Sequence, residues 1–421
     1  MFNDTLKSSS FEKGLFMPAA ASARAIARQL DDPADLGRVL DELLAARAEP
    51  PVLLGLGEPT HGIEAFPLLR NEILGLLVER GYRSIALETD IFAASAVDDY
   101  VNGAAADIDD VLATGFSHRF GAVPGNRELV EWLRAHNADR APQDRVRFHG
   151  FDAPVEFAAA PSPRRALTSV SEYLPAALRP ESVGDLDALL GEEADWTNEA
   201  AMYDPAASVG GSDRARALRV VADDLASALR RAAPALRPAD PAGYDHALAH
   251  ARTALGLLRY HAAMAGSGPD RIGALLALRA EMMAENLIAI AAEEQQRGPT
   301  LVFAHNVHLQ PGQSRMPVGE HDVSWGSAGS LVGIALGERY VFVATDANPN
   351  SDPDTLQGVL AEATTRRALF PAPALRAALA SSIGAGEPIV QGHIPLTPAD
   401  LDGADAVIFV ADTDGKRHDY W

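Results

Sequence analysis

Short apolar runs that end in polar residues alternate along this chain with longer stretches of helical spacing. The first run, Val52-Leu53-Leu54-Gly55-Leu56, passes through Gly57 into Glu58-Pro59-Thr60-His61. Its length and its Gly and Pro borders predict a buried strand, with His61 on the turn that leaves it. Ile63, Phe66, Leu69, Ile73, Leu76 and Leu77 then recur at helical intervals up to Arg80, which predicts an amphipathic helix. Runs at 82–90, 146–152 and 299–308 repeat the design, closing on Glu88 and Asp90, on His149 and Asp152, and on His305 and His308. Further apolar runs at Leu331–Leu336, Tyr340–Ala344 and Ala406–Val410 bring the expected sheet to six or seven strands.

The remaining segments read differently. Residues 1–22 are weakly patterned and are expected to form a flexible lead, and 22–47 a helical pair broken near Asp31-Asp32-Pro33. Residues 91–145 read as helical and loop-rich, and from 155 to 296 strand signals give way to an Ala/Leu/Arg-rich helical pattern. The expected fold class is α/β, a three-layer core with a mostly parallel sheet plus a large helical insertion. The boundaries implied are an N-terminal lead and helices at 1–50, a first core half at 51–154, the insertion at 155–296 and a second core half at 297–421. In open sheets of this class ligands bind at the carboxyl edge of the strands.

Composition narrows the function. A net charge of −22 over 421 residues disfavours a grip on nucleic acid or an anionic membrane surface, both of which require basic patches. The partner expected is a small molecule. There is no cysteine, so disulfides, thiolate metal sites and a cysteine nucleophile are excluded together. The N-terminal stretch lacks the pattern of a secretory signal, and charged residues interrupt every apolar run well short of the roughly 20 residues of a membrane span. A cytoplasmic location is the expectation, and nothing in the pattern bears on oligomeric state.

Glu58 with His61, Glu88 with Asp90, His149 with Asp152, and His305 with His308 stand at four strand ends that parallel pairing would gather on one edge. A single histidine so placed is more often structural than catalytic. Four strand ends with the same chemistry point to a cleft in which carboxylates tune an imidazole base. No Gly-x-Ser-x-Gly elbow is present, since Gly326-Ser327-Ala328-Gly329 has the wrong spacing. His246 and His250 have helical metal-pair spacing without the intervening Glu of a zincin. They read as helix-face residues. A divalent ion held by Glu58, Glu88, His305 and His308 stays open as an alternative use of the same groups. His136, His261, His321, His393 and His418 have no visible partner, whereas His118, in a glycine-rich stretch, borders the expected cleft.

Gly57-Glu58-Pro59-Thr60-His61-Gly62, Leu87-Glu88-Thr89-Asp90, Gly150-Phe151-Asp152, Arg279-x-x-x-Met283-Ala284-x-Asn286 and Ala304-His305-Asn306-Val307-His308 together resemble the erythromycin esterase family, in the same order from about 50 to 345. The resemblance implies a metal-independent lactone hydrolase without cofactor in which His61 activates water, with Glu58, Arg70, Glu88, His305 and His308 completing the catalytic set. His118, His149, Asp152 and Trp325 are the expected substrate contacts. Ala280 stands where members of the family often carry an Asp, so its support is expected to be missing or to come from Glu281. Arg70 also has a plainer reading, a surface pair with Glu72 or Glu79, and Trp196, Tyr203 and Trp325 have one as core residues. Three functions compete: hydrolysis of a large, mostly apolar lactone or ester, a biosynthetic cyclisation, elimination or acyl transfer in the same cleft, and binding of a metal or haem.

Overall fold

The computed structural model describes residues 19–155, 160–319, 321–413 and 415. Residues 1–18 of the expected lead, the side chain of His321 and all of His418 lie outside the described residues. Helix α1 (Ala19–Ile26), a two-residue strand β1 (Arg28–Gln29) and α2 (Pro33–Ala45) open the chain. The break falls where Asp32 caps α2 by accepting from the Asp35 amide and Pro33 begins the helix, a start that dispenses with an unused N–H. Strand β2 (Leu53–Glu58) leads to α3 (Ala65–Glu79), and β3 (Ser84–Asp90) to α4 (Ala94–Val101), α5 (Ile108–Gly115) and α6 (Pro124–Asn137). After β4 (Arg147–Asp152) come α7 (Arg164–Tyr173), the short α8 (Leu186–Leu190) and α9 (Glu193–Trp196), and then α10 (Asp213–Ala239), α11 (Pro241–Met264) and α12 (Arg271–Glu294). Among the described residues no strand falls between β4 and β5. No described helix is long and apolar enough to cross a membrane.

The chain returns to the sheet with β5 (Thr300–His305), followed by α13 (Asn306–Leu309), a hairpin of β6 (Gln313–Val318) and β7 (His321–Gly326), and α14 (Ala328–Leu336). It closes with β8 (Tyr340–Asp346), α15 (Leu356–Ala363), β9 (Arg367–Pro371), α16 (Ala372–Ala378) and β10 (Ala406–Val410). The main sheet has eight strands in the order β1-β9-β10-β8-β2-β5-β3-β4, parallel except where β9 meets β1 and β10. Leu331–Leu336, expected as a strand, is helical. Ser327 caps it by accepting from the Ser330 amide, and a six-residue apolar run has no periodicity that separates helix from strand.

Strand residues divide between two apolar layers by simple alternation. In β8, Val341 and Val343 join the layer under α2 and α3, while Tyr340, Phe342 and Ala344 join the layer under α12, α14 and α15. A third apolar cluster, including Leu167, Leu218, Leu225, Ala251 and Leu258, ties α7, α10 and α11 together. Helix α12 packs on α11 through Leu275 and Met282 and on the sheet through Met283, Leu287 and Ile290.

At the end of β2 the packing leaves no space for a side chain at Gly57. A Cβ there would run into the Asn306 side chain and stand 3.0 Å from its Cα. Asn306 in turn donates to the Thr345 carbonyl at 2.8 Å, and the Thr345 hydroxyl donates to the Gly57 carbonyl at 2.7 Å. Gly57→Ala is therefore expected to cost about 1–3 kcal/mol, the usual range for overpacking, read as a lower urea midpoint with unchanged slope. A midpoint equal to that of the wild type contradicts this packing.

Candidate active site

Strands β2, β5, β3 and β4 are neighbours and parallel, so their carboxyl ends lie side by side. Register places Glu58 opposite His305 and Asp90 opposite Asp152. His61 follows β2 on a turn, 20% exposed at its side chain, with Nδ1 2.8 Å from Glu58 Oε1 and Nε2 3.8 Å from Glu88 Oε1. Phe120 tilts against the His61 ring at 4.8 Å and His305 meets it edge-on at 5.3 Å. With Glu58 ionised, Nδ1 carries the proton it donates to Glu58, and Nε2 keeps its lone pair toward the space before Glu88.

Glu88 gathers the rest. Its Oε1 lies 3.2 Å from His308 Nε2 and 3.3 Å from an Arg279 terminal nitrogen, and its Oε2 accepts the His305 amide at 2.9 Å. Arg279 reaches in from α12 and grips Asp152 in a fork, with Nε donating at 3.0 Å. His118 Nε2 stands 3.0 Å from the other Asp152 oxygen. His118 and Arg119 have φ values of 54° and 57°, two successive non-glycine residues in the left-handed region, a strained geometry that the surrounding structure must hold.

These contacts set the charge states. Burial pushes the Glu58 carboxyl up, against the His61 hydrogen bond that draws it down. For His61, burial disfavours the imidazolium, but the Glu88 charge and the Glu58 hydrogen bond outweigh it and the net displacement is upward. Glu88 is also opposed by burial, yet His308, His61 and Arg279 hold it well below the usual carboxylate range. Asp152 is lowered despite burial, by Arg279 and His118. His305 goes the opposite way. Burial, with His61 and His308 nearby, drives it well below the ordinary imidazole value, and its Nδ1 accepts from the Val307 amide at 3.2 Å. It is a neutral ring set edge-on to His61.

Arg70 is buried in α3, not paired on the surface with Glu72 or Glu79. Its guanidinium donates to Asn126 at 2.7 Å and to the Gly125 carbonyl at 2.9 Å and lies 4.9 Å over the Phe303 ring. It shares with Glu58, His61 and Glu88 the lining of a cavity of about 30 Å³, enough for about one water. Glu58 Oε2 and His308 Nδ1 are buried with no hydrogen-bond partner among the described residues. A larger cavity of about 420 Å³ lies beside the cluster, lined by Asp90, Phe92, Ser117, Ala153, His250 and Leu257 among others.

Two expected substrate contacts lie elsewhere. His149 points to α12 and bonds Glu294 at 2.9 Å, because it stands three residues short of the strand end. Trp325 sits in the apolar layer beside the sheet. Glu281 pairs with Arg259 at 2.9 Å, so it does not replace the missing Asp. His250 packs flat on Phe92 at 4.0 Å, and burial takes its pKa down to about 4. Arg279 is the site residue that reading for strand ends passes over. It sits on a helix 127 positions from Asp152, and its only signal was its place in the Arg-x-x-x-Met-Ala-x-Asn segment, whose Asn286 donates to the Phe151 carbonyl at 3.1 Å.

The family model described as Erythromycin esterase matches residues 77–413. Three solved structures share the fold. A Bacillus cereus protein aligns at TM-score 0.70 and 16% identity over 93% of this chain and 96% of its own. An erythromycin esterase, a mutant of EreC in its open conformation, aligns at 0.68 and 17% over 93% and 96%. A succinoglycan biosynthesis protein aligns at 0.63 and 16% over 94% and 97%. At such identities these likenesses concern the fold alone.

The charge states make stability depend on pH in two windows. The raised His61 contributes stability in full below its unfolded value near ~6.5 and loses it as pH rises through its folded value. The unfolding free-energy gap between wild type and His61→Asn, from urea melts, is therefore expected to narrow above that pH, and a gap that widens contradicts the assignment. The lowered Glu88 and Asp152 act in the other direction. Their contribution is present above about 4 and disappears as pH falls through their folded values.

Proposed function

The chain belongs to the erythromycin esterase family, and on that premise we propose that it opens a cyclic or activated ester by water attack, with His61 as the base. Membership supports hydrolase-type activity. The observation that carries it is the bracketing of His61 between Glu58 at 2.8 Å and Glu88 at 3.8 Å, beside a cavity with room for water. Water bound at Nε2 gives its proton to His61 as its oxygen bonds to the ester carbonyl carbon. Glu58 and Glu88 stabilise the imidazolium, and the oxyanion forms near Arg279 and His308. Collapse breaks the carbon–oxygen bond to the alcohol, whose oxygen takes the proton back from His61, leaving acid and alcohol. The flanking cavity of about 420 Å³ supports a large, mostly apolar substrate body.

Metal or haem ligation has less support, because Nδ1 of His305 is engaged by the Val307 amide and Nε2 of His308 faces Glu88. Among the described residues no group of three or more such side chains converges to hold a metal ion. Nothing at the site favours cyclisation or elimination over hydrolysis.

Incubation with macrolides, other polyketide lactones and short p-nitrophenyl esters in isotopically labelled water tests the proposal. A ring-opened product with label in its carboxylate is expected, and unlabelled or dehydrated products contradict hydrolysis. His61→Ala should remain folded and lose about 10²–10⁴ in rate. Activity is expected to persist through chelator dialysis, and a loss restored by a divalent ion would reassign Glu58, His305 and His308 as ligands.

A further inference from the structure

The carbonyl of Pro59, between Glu58 and the turn that carries His61, accepts a hydrogen bond from the Ile394 amide at 3.0 Å. Ile394 belongs to a stretch without regular structure, 384–396, that crosses the carboxyl edge of the sheet after α16. Apart from the bridge of Gly384 to Thr355 such a stretch has no ladder to fix it, so side chains must supply much of its anchoring.

Those side chains form a buried knot under it. Asp346 ends β8. Leu56 pairs with Val343, so Asp346, three residues on, is level with Pro59. One Asp346 oxygen accepts His393 Nε2 at 2.9 Å and the Ala347 amide at 2.8 Å, and the other accepts Gln357 at 2.7 Å and the Leu396 amide at 2.9 Å. His393 and Asp346 have no exposed side-chain surface. His393 Nδ1 accepts the Ile389 amide at 3.0 Å, which assigns its proton to Nε2 and leaves the ring neutral against an ionised carboxylate. Gln357 also takes the Gly386 amide at 2.7 Å. Gly392, at φ 85°, adopts the left-handed turn that a side chain would strain, and the next residue is the one that enters the knot.

From this arrangement we infer that His393, anchored on Asp346, is a positioning residue for the catalytic turn. It fixes the 389–396 stretch so that the Ile394 amide holds Pro59, and through Pro59 the separation of His61 from Glu58 and Glu88. His393 touches no reacting atom. Its effect runs through one backbone hydrogen bond to the residue between β2 and the base. Small displacements of a base are costly, since a 1 Å error can remove about 10² in rate.

Imidazole nitrogen–proton spectra of the full chain read this directly, with the His61 signal identified by its loss in His61→Ala. His393→Gln offers one donor and one acceptor in place of the ring and is expected to keep the wild-type His61 titration. His393→Phe fills the volume without polar partners and is expected to move the His61 midpoint toward the ordinary value near ~6.5. With p-nitrophenyl acetate as surrogate, His393→Phe should lose about ten- to a hundredfold in kcat with KM unchanged, and His393→Gln should restore it. A folded His393→Phe protein whose His61 titrates as in wild type overturns the inference. Should that variant not fold, Ile394→Pro, which removes the N–H given to Pro59, is read for the same shift or its absence. Only the kinetic arm rests on the hydrolase reading. A chain that cleaves no ester yet shows the shift refutes hydrolysis and keeps the positioning role.

Discussion

Glu88 is a carboxylate 5% exposed, and an ionised group so placed survives only if its lost hydration is replaced by fixed partners. It has four: the His305 amide, His308, Arg279 and, across 3.8 Å, His61. Each comes from a different part of the fold. The amide belongs to β5, His308 to α13, Arg279 to α12 and His61 to the turn after β2. Removing one member of such a buried set commonly costs about 3–5 kcal/mol, because the charge left behind has no partner. Keeping Glu88 ionised therefore binds the sheet edge, the long helix α12 and the catalytic turn into one unit. The same charge favours the His61 imidazolium, as its proposed role of base requires.

The fold supplies the positions this constraint requires. Parallel neighbours β2, β5, β3 and β4 bring Glu58, His305, Glu88 and Asp152 to one edge. Gly57 lets Asn306 and Thr345 lock the end of β2. Helix α12 lies on the opposite face from α3, and its Arg279 and Asn286 clasp Asp152 and the Phe151 carbonyl together. Arg70 carries its charge from the α3 side. The resulting site is acidic, with three carboxylates against two guanidinium groups, a balance that favours the His61 imidazolium.

Much of this was legible in the chain because buried parallel strands are short, continuous and apolar, and their polar ends stand out. That logic located Glu58, Glu88, Asp152, His305 and His308 and the turn of His61. It misplaced His149, since counting residues in a run does not say which of them lies past the last hydrogen-bonded pair. It misread Leu331–Leu336, where the informative signal was the capping Ser327 just upstream of the run. Strand β1 was missed because two residues carry no pattern, and β9 because Arg367 and Pro371 cut its apolar run to Ala368, Leu369 and Phe370. The fork from Arg279 to Asp152 and the His393–Asp346 knot were beyond reach for another reason: their partners are 127 and 47 residues apart, and only the folded sheet edge brings them together.

We propose that the ionised Glu88 raises the pKa of His61 and so sets the pH at which it works as a base. The most direct measurement is the pH profile of kcat/KM for an ester substrate in wild type and in Glu88→Gln, which keeps the shape and removes the charge. A base must be unprotonated to act, so activity rises with pH through the His61 pKa of the free protein. The account predicts that the acid limb of Glu88→Gln moves to lower pH while the plateau falls. An acid limb at the same pH in both proteins would contradict it.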